Sequence, residues 1–186
     1  MHIFIKMKKD LSQIIEIPEN VEVILEDQTI IVKGPEGENK REFRVAQITL
    51  EKKDNKIILK SKKTTKNEKK MINTMRAHIK NMIEGVQKKF EYELKICFSH
   101  FPMNVEIKED HAIVKNFLGE KIPRKLKIPQ GVDIKIDKGI ITVTSSNKEL
   151  AGQAAANFEK ATRIRMKDRR VFQDGIFMIN KAGKKM

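Results

Sequence analysis

Near the start of the chain Val21, Val23 and Leu25 alternate with Glu22, Ile24 and Glu26, and the polar break Asp27-Gln28 leads into Thr29-Ile30-Ile31-Val32-Lys33. A period of two around an acidic break predicts a β-hairpin. Gly34-Pro35-Glu36-Gly37 predicts a second turn, because the fixed φ of proline suits the first central position and glycine suits the exit. Arg41 to Val45 and Ile48 to Lys53 give further extended segments, and Asp54-Asn55-Lys56 turns the chain into Ile57-Ile58-Leu59-Lys60. The period then changes. Ile72, Met75, Ile79, Ile83, Val86 and Phe90 fall three or four apart, which predicts a long helix between Thr65 and Phe90 with one apolar face closing over the strands.

The same events then recur. Pro18-Glu19-Asn20-Val21-Glu22-Val23 returns as Pro102-Met103-Asn104-Val105-Glu106-Ile107, and Ile31-Val32-Lys33 returns as Ile113-Val114-Lys115. Gly37-Glu38 has its counterpart in Gly119-Glu120, at a nearly constant offset. Asp137-Lys138-Gly139 repeats the last turn before Ile140-Ile141-Thr142-Val143, and Asn147 can cap a second helix whose Leu150, Ala154, Ala155, Phe158 and Ala161 share a face. Strands followed by one helix, twice over, predict an α+β fold of two tandem duplicated domains, each an antiparallel sheet with one packed helix. The expected boundaries are 1–92 for the first repeat, 93–162 for the second, and 163–186 for a basic C-terminal extension of the second domain. Between the copies, Phe90, Tyr92, Leu94, Ile96 and Phe98 form one more strand that carries the chain across the boundary.

Composition narrows the class of partner. Charged residues make up 34% of the 186 positions against a usual ~25%, and the formal net charge is +14. Lys160 to Met186 holds nine Lys/Arg against two Asp, which is half of that net charge. A doubled frame with a cationic end suits a polyanion better than a metabolite. The single cysteine, Cys97, cannot make an intrachain disulfide, which fits a reducing compartment. No run approaches the ~18 apolar residues of a membrane span. The stretch from Met1 to Asp10 is apolar and then basic, the reverse of a secretory signal. The expected location is the cytoplasm.

Catalysis needs a cluster, and the sequence does not assemble one. His2, His78, His100 and His111 are scattered, none at a metal-ligand spacing, and no phosphate-binding glycine loop, nucleophile elbow or zinc-protease motif occurs. Glu26-Asp27 and Glu109-Asp110 recur at matching turns; paired carboxylates there could bind a metal for phosphodiester cleavage, but solvated turns are the simpler account. We therefore expect no catalytic residues, no metal and no cofactor. Met71, Met75 and Met82 lie among the isoleucines of the first helix and read as core filler. Lys62, Lys63, Lys66, Lys69 and Lys70 crowd the entry to that helix, where they oppose its dipole.

The C-terminal segment is the best candidate for function. In Thr162-Arg163-Ile164-Arg165-Met166-Lys167-Asp168-Arg169-Arg170 the arginines outnumber the lysines, and guanidinium forks match phosphate oxygens. Ile164, Met166, Val171 and Phe172 between them imply that the segment also docks. Asp174-Gly175 marks a turn before the strand-like Ile176-Phe177-Met178-Ile179, and Lys181, Lys184 and Lys185 complete the cationic set. Asn116-Phe117-Leu118-Gly119 puts two large apolar side chains in a loop, either to seal the junction between the copies or to meet an external surface. With one tyrosine and no tryptophan, recognition of single strands by base stacking is poorly supplied, so backbone and shape recognition of folded RNA suits the inventory better.

Six motifs in order carry a family resemblance: Pro18-Glu19-Asn20-Val21, Val32-Lys33-Gly34-Pro35-x-Gly37, Asn81-Met82-Ile83-x-Gly85-Val86, His100-Phe101-Pro102-x-Asn104-Val105, Asn116-Phe117-Leu118-Gly119-Glu120-Lys121, and Lys167-Asp168-Arg169-Arg170-x-Phe172-x-Asp174-Gly175-Ile176. From about Ile15 to Ile179 the chain resembles the universal sixth protein of the large ribosomal subunit, in its archaeal and eukaryotic form. The Pro-rich, Gly-Lys-Gly ending of the bacterial form is missing. The resemblance implies a place on large-subunit (23S-type) rRNA near the stalk base, the factor-binding region and the sarcin-ricin loop. Neighbouring large-subunit proteins at the stalk base and nearby translation factors would be its partners, with no membrane and no small-molecule substrate. Carried over by position, it points to Lys115, Asn116, Lys121 and Arg124, then to Arg163, Arg165, Lys167, Arg169 and Arg170, as rRNA-binding. The rival readings are a metal-dependent RNA-processing enzyme and a basic protein-interaction module.

Overall fold

The computed structural model describes residues 9–26, 28–43 and 48–186, with Lys9 and Lys63 as backbone only. His2, Asp27 and the stretch from Met1 to Lys8 lie outside the described residues. The chain divides into two compact units, Met1–Lys88 and Lys89–Met186. The division falls ahead of the boundary expected after residue 92, because the strand that starts at Phe90 is central to the second unit.

In the first unit the strands are β1 (Lys9–Glu16), β2 (Glu22–Glu26), β3 (Thr29–Gly34), β4 (Gly37–Glu42), β5 (Thr49–Lys53) and β6 (Lys56–Thr64), followed by α1 (Lys66–Gln87). They form two three-stranded antiparallel sheets, in the orders β1-β6-β5 and β2-β3-β4, so each repeat holds two sheets where the alternation suggested one. Ile30 and Val32 of β3 and Ile57 and Leu59 of β6 join Ile72, Met75, Ile79, Met82, Ile83 and Val86 of α1 in one core. The helix begins where the sequence allows both halves of a capping box. The Thr65 hydroxyl accepts from the Asn67 N–H at 3.3 Å, while the Glu68 carboxylate accepts from the Thr65 N–H at 2.7 Å. The other end of α1 is closed by the strand turn, since the Glu36 N–H donates to the Val86 carbonyl at 2.9 Å. Gly34 permits this approach: a Cβ there would lie 2.8 Å from the same carbonyl oxygen.

The second unit repeats the order with β7 (Phe90–Cys97), β8 (Asn104–Lys108), β9 (His111–Lys115), a 3-10 turn at Phe117–Gly119, β10 (Arg124–Lys127), β11 (Asp133–Asp137), β12 (Ile140–Ser145) and α2 (Lys148–Ala161). β10-β9-β8 is the counterpart of β4-β3-β2. β11-β12-β7 is the counterpart of β5-β6-β1, but here two strands are added, β13 (Gly175–Lys181) and β14 (Lys184–Lys185). β13 runs antiparallel to β7 with Gly175 opposite Cys97 and Ile176 opposite Ile96, so the C-terminal segment is built into the sheet. The Asn147 side chain caps α2, accepting from the Glu149 N–H at 2.9 Å. Ala151, Ala154, Ala155 and Phe158 press against Tyr92, Leu94, Ile141 and Val143 in the second core. Among the described residues, no helix is long and apolar enough to cross a membrane.

Candidate nucleic-acid interface

Two loops meet at one end of the second unit, at the C-terminus of α2. The first connects β9 to β10. Asn116 takes a left-handed conformation (φ 58°), as does Leu118 (φ 49°), and the chain between them turns Phe117 inward until it is 1% exposed in the unit's own core. Phe117 therefore packs within its own unit, which corrects the expectation that it meets an external surface. The Asn116 amide donates to the Pro102 carbonyl at 3.0 Å, and Lys115 pairs with Glu106 at 2.6 Å. Lys121 is exposed and has no carboxylate partner among the described residues.

Arg124, the first residue of β10, is committed inside the protein. Its guanidinium meets both carboxylate oxygens of Glu120, donates to the Ala161 carbonyl at 2.7 Å and stands 4.3 Å from the Phe117 ring centre. The Ala161 carbonyl belongs to the last turn of α2, where a cation also answers the helix dipole. Hydrogen bonding from Arg124 holds the Glu120 carboxyl below the usual carboxylate range against a partial opposing effect of burial, and the nearby charges of Arg124 and Lys167 lower it further.

The second loop, residues 163–174, joins α2 to β13 and is fastened at both ends. At the start, the buried Thr162 hydroxyl donates to the Phe158 carbonyl at 3.3 Å and accepts from the Ile176 N–H at 2.9 Å. At the end, buried Asp174 accepts from the N–H and the hydroxyl of Ser99 at 3.0 and 3.1 Å. Between these anchors, the Asp168 carbonyl accepts from the N–H groups of Val171 and Phe172 in a turn. The Asp168 carboxylate binds the Arg170 N–H at 2.9 Å and its guanidinium at 3.3 Å, and these contacts depress its pKa.

The cations are therefore carried on a shaped loop. Arg163, Arg165 and Arg169 are exposed without a carboxylate partner among the described residues. Lys167 lies over the Phe172 ring at 4.7 Å, and Arg170 alone among the five pairs with an acid, Asp168. Lys181, Lys184 and Lys185 are exposed at the other end of β13, some 20 Å along the strand from Gly175, and do not join this face. In the first unit, the capping box already supplies a carboxylate to the start of α1, so the lysine cluster there does not leave the helix end unanswered.

The histidines and paired acids of the described residues stand apart from these cations. Glu109 and Asp110 are exposed in the β8–β9 turn, His100 stacks edge-on against Phe101, and His78 lies beside Phe43. Among the described residues, no three His, Cys, Asp or Glu side chains converge as metal ligands. The sequence reading missed the internal role of Arg124 and the exposed Ile122 beside Lys121. The acid four residues ahead of Arg124 was the available signal for the first; nothing in the pattern marked the second.

The sequence model of the family described as "Ribosomal protein L6" matches residues 17–89 and 101–175, one segment in each unit. The chain is 45% identical over 167 residues to "Large ribosomal subunit protein uL6" of Methanobrevibacter smithii, covering 90% of this chain and 94% of the relative. It is 44% identical over 170 residues to the protein of that name in Methanococcus vannielii, covering 91% and 93%. For Nanoarchaeum equitans the figures are 48% over 178 residues, covering 91% and 93%. Two matched segments and near-complete coverage place the chain in the ribosomal protein L6 (uL6) family.

Proposed function

We propose that this chain is a non-catalytic constituent of the large ribosomal subunit, held on folded large-subunit rRNA chiefly by the α2 end of its second unit. The observation that carries the reading is the loop at residues 163–174, which is anchored by Thr162 and Asp174 and presents uncompensated arginines. Ordering the loop in advance lowers the entropic cost of binding. Relatives named as large ribosomal subunit proteins support that choice of particle. The proposed position is near the stalk base, the factor-binding region and the sarcin-ricin loop, against neighbouring stalk-base proteins, on cytoplasmic ribosomes. Lys115 and Asn116 serve at the rim of this face, and Lys181, Lys184 and Lys185 make a separate contact.

The test is the salt dependence of binding to large-subunit rRNA. If Lys121, Arg163, Arg165, Lys167 and Arg169 each neutralise one phosphate, this face contributes about −4.5 to the slope of log affinity against log salt. That is a loss of between roughly two and three decades from 50 to 200 mM. Replacing Arg163, Arg165 and Arg169 by Ala should flatten the slope by about 2.7 and release the protein from sedimenting large subunits. An unchanged slope refutes the assignment.

A further inference from the structure

The loop that carries the arginines also walls a cleft of about 750 Å³, lined among others by Cys97, Arg163, Arg169, Phe172, Gln173 and Phe177. A volume of that order suits a nucleotide-sized ligand. Its composition is specific in two respects. Phe172 and Phe177 are 37% and 48% exposed in a chain with few aromatics, and both face this one cleft. Each ring is seated by a neighbour: Lys167 stands over Phe172, and the Phe177 ring lies so close to Gly175 that a Cβ there would be 3.0 Å from it.

Cations outnumber acids around the cleft, with Lys160, Arg163 and Arg169 against Glu159 and Asp174. Its two acids are answered from within the fold, Asp174 by Ser99 and Glu159 by the Met178 N–H at 3.0 Å. Arg163 and Arg169 have no such partner among the described residues. A pocket with apolar rings inside and unpaired guanidinium groups at its mouth fits a base with a phosphate on either side. We propose that it receives one nucleotide extruded from the bound rRNA, the base against Phe172 and Phe177 and the flanking phosphates on Arg163 and Arg169. This rests on the rRNA-binding reading above and extends it from backbone contact to base contact. RNA is the source because Arg163 and Arg169 are shared with that face, so phosphate binding offsets the unstacking that an extruded base requires.

Cys97, the single cysteine of the sequence, lines the cleft and reports on it. In the intact chain saturated with large-subunit rRNA, its alkylation by N-ethylmaleimide should slow by tenfold or more, on the order expected for an occupied site. Phe172→Ala and Phe177→Ala should each weaken rRNA binding by roughly 5- to 150-fold, the range for one lost stacked base, with the salt slope unchanged because the lost contact is not ionic. Phe172→Tyr should retain affinity. Full-speed alkylation under saturating rRNA, or wild-type affinity in both alanine variants, overturns the cleft while leaving the backbone reading in place. Failure of the parent chain to bind rRNA removes both. Protection by millimolar AMP, GMP, CMP or UMP alone, without protection by rRNA, overturns the choice of RNA as the source.

Discussion

Arg124 separates a side chain that builds the proposed interface from those proposed to touch rRNA, and Arg124→Ala is the perturbation that tests the distinction. The Glu120 pair is worth about 0.5–1 kcal/mol, because the two side chains are 30% and 40% exposed and solvent screens them. Losing the donor to the part-buried Ala161 carbonyl costs about 1 kcal/mol, and the Phe117 ring contact adds about 0.5 kcal/mol. The total is about 2 kcal/mol. With a denaturant slope near 2 kcal/mol/M, the urea midpoint of the second unit should fall by about 1 M. Arg124→Lys keeps the charge and loses the fork, so it should recover about half of that loss.

The rRNA salt slope is the independent readout. Arg124→Ala should leave it within about 0.3 of the parent, whereas Arg165→Ala should flatten it by about 0.9 and move the urea midpoint by less than about 0.25 M. An Arg124→Ala protein of unaltered stability with a slope flattened by about 0.9 would refute the reasoning and make this arginine a phosphate contact.

Two further outcomes follow from the geometry. Gly34→Ala should destabilise the first unit by about 1–3 kcal/mol in urea unfolding, since the added methyl meets both the Val86 carbonyl and the stiff, branched Val86 side chain; a neutral substitution would disprove the close approach. Glu120 has a folded pKa held below its unfolded value of about 4.3, so its stabilisation is complete above that value and is lost as pH falls through the lower, folded one. Parent and Glu120→Gln should therefore differ in urea midpoint at pH 6 and converge as pH falls through the lower, folded value; a gap unchanged by acid contradicts the pairing with Arg124.

The parts of the fold written in local pattern were legible. The β2–β3 hairpin, the apolar face of α1 and the Asn147 cap each depend on residues a few positions apart, and the duplication made each copy a check on the other. Long-range pairing was less so. The Ile176–Ile179 run reads as a strand, but nothing in it names β7 as its neighbour, and the Ser99–Asp174 anchor spans 75 residues. Phe117 was misread because two non-glycine residues at positive φ turn an apparent surface loop into the core. Arg124 looked like its unpaired neighbours because charge in a sequence does not say what answers it.

Comparison of the two copies shows what the second unit has, and the first lacks, to carry the proposed RNA face. In the first unit the β1-β6-β5 sheet ends at β1, and the helix that follows leads directly out of the unit. In the second, the chain turns back after α2 and lays β13 along the corresponding edge of β7, which pairs backbone groups that an edge strand would otherwise expose. The end of α2 and the start of β13 are in contact, with the Ile176 N–H donating to the Thr162 hydroxyl at 2.9 Å, so residues 163–174 form a closed loop at the α2 end of the unit rather than a direct crossing. Thr162 and Asp174 fasten the points where that loop begins and ends. Covering a sheet edge and displaying exposed arginines are thus two results of one added segment, whose loop is fixed at both ends by the helix and sheet that carry it.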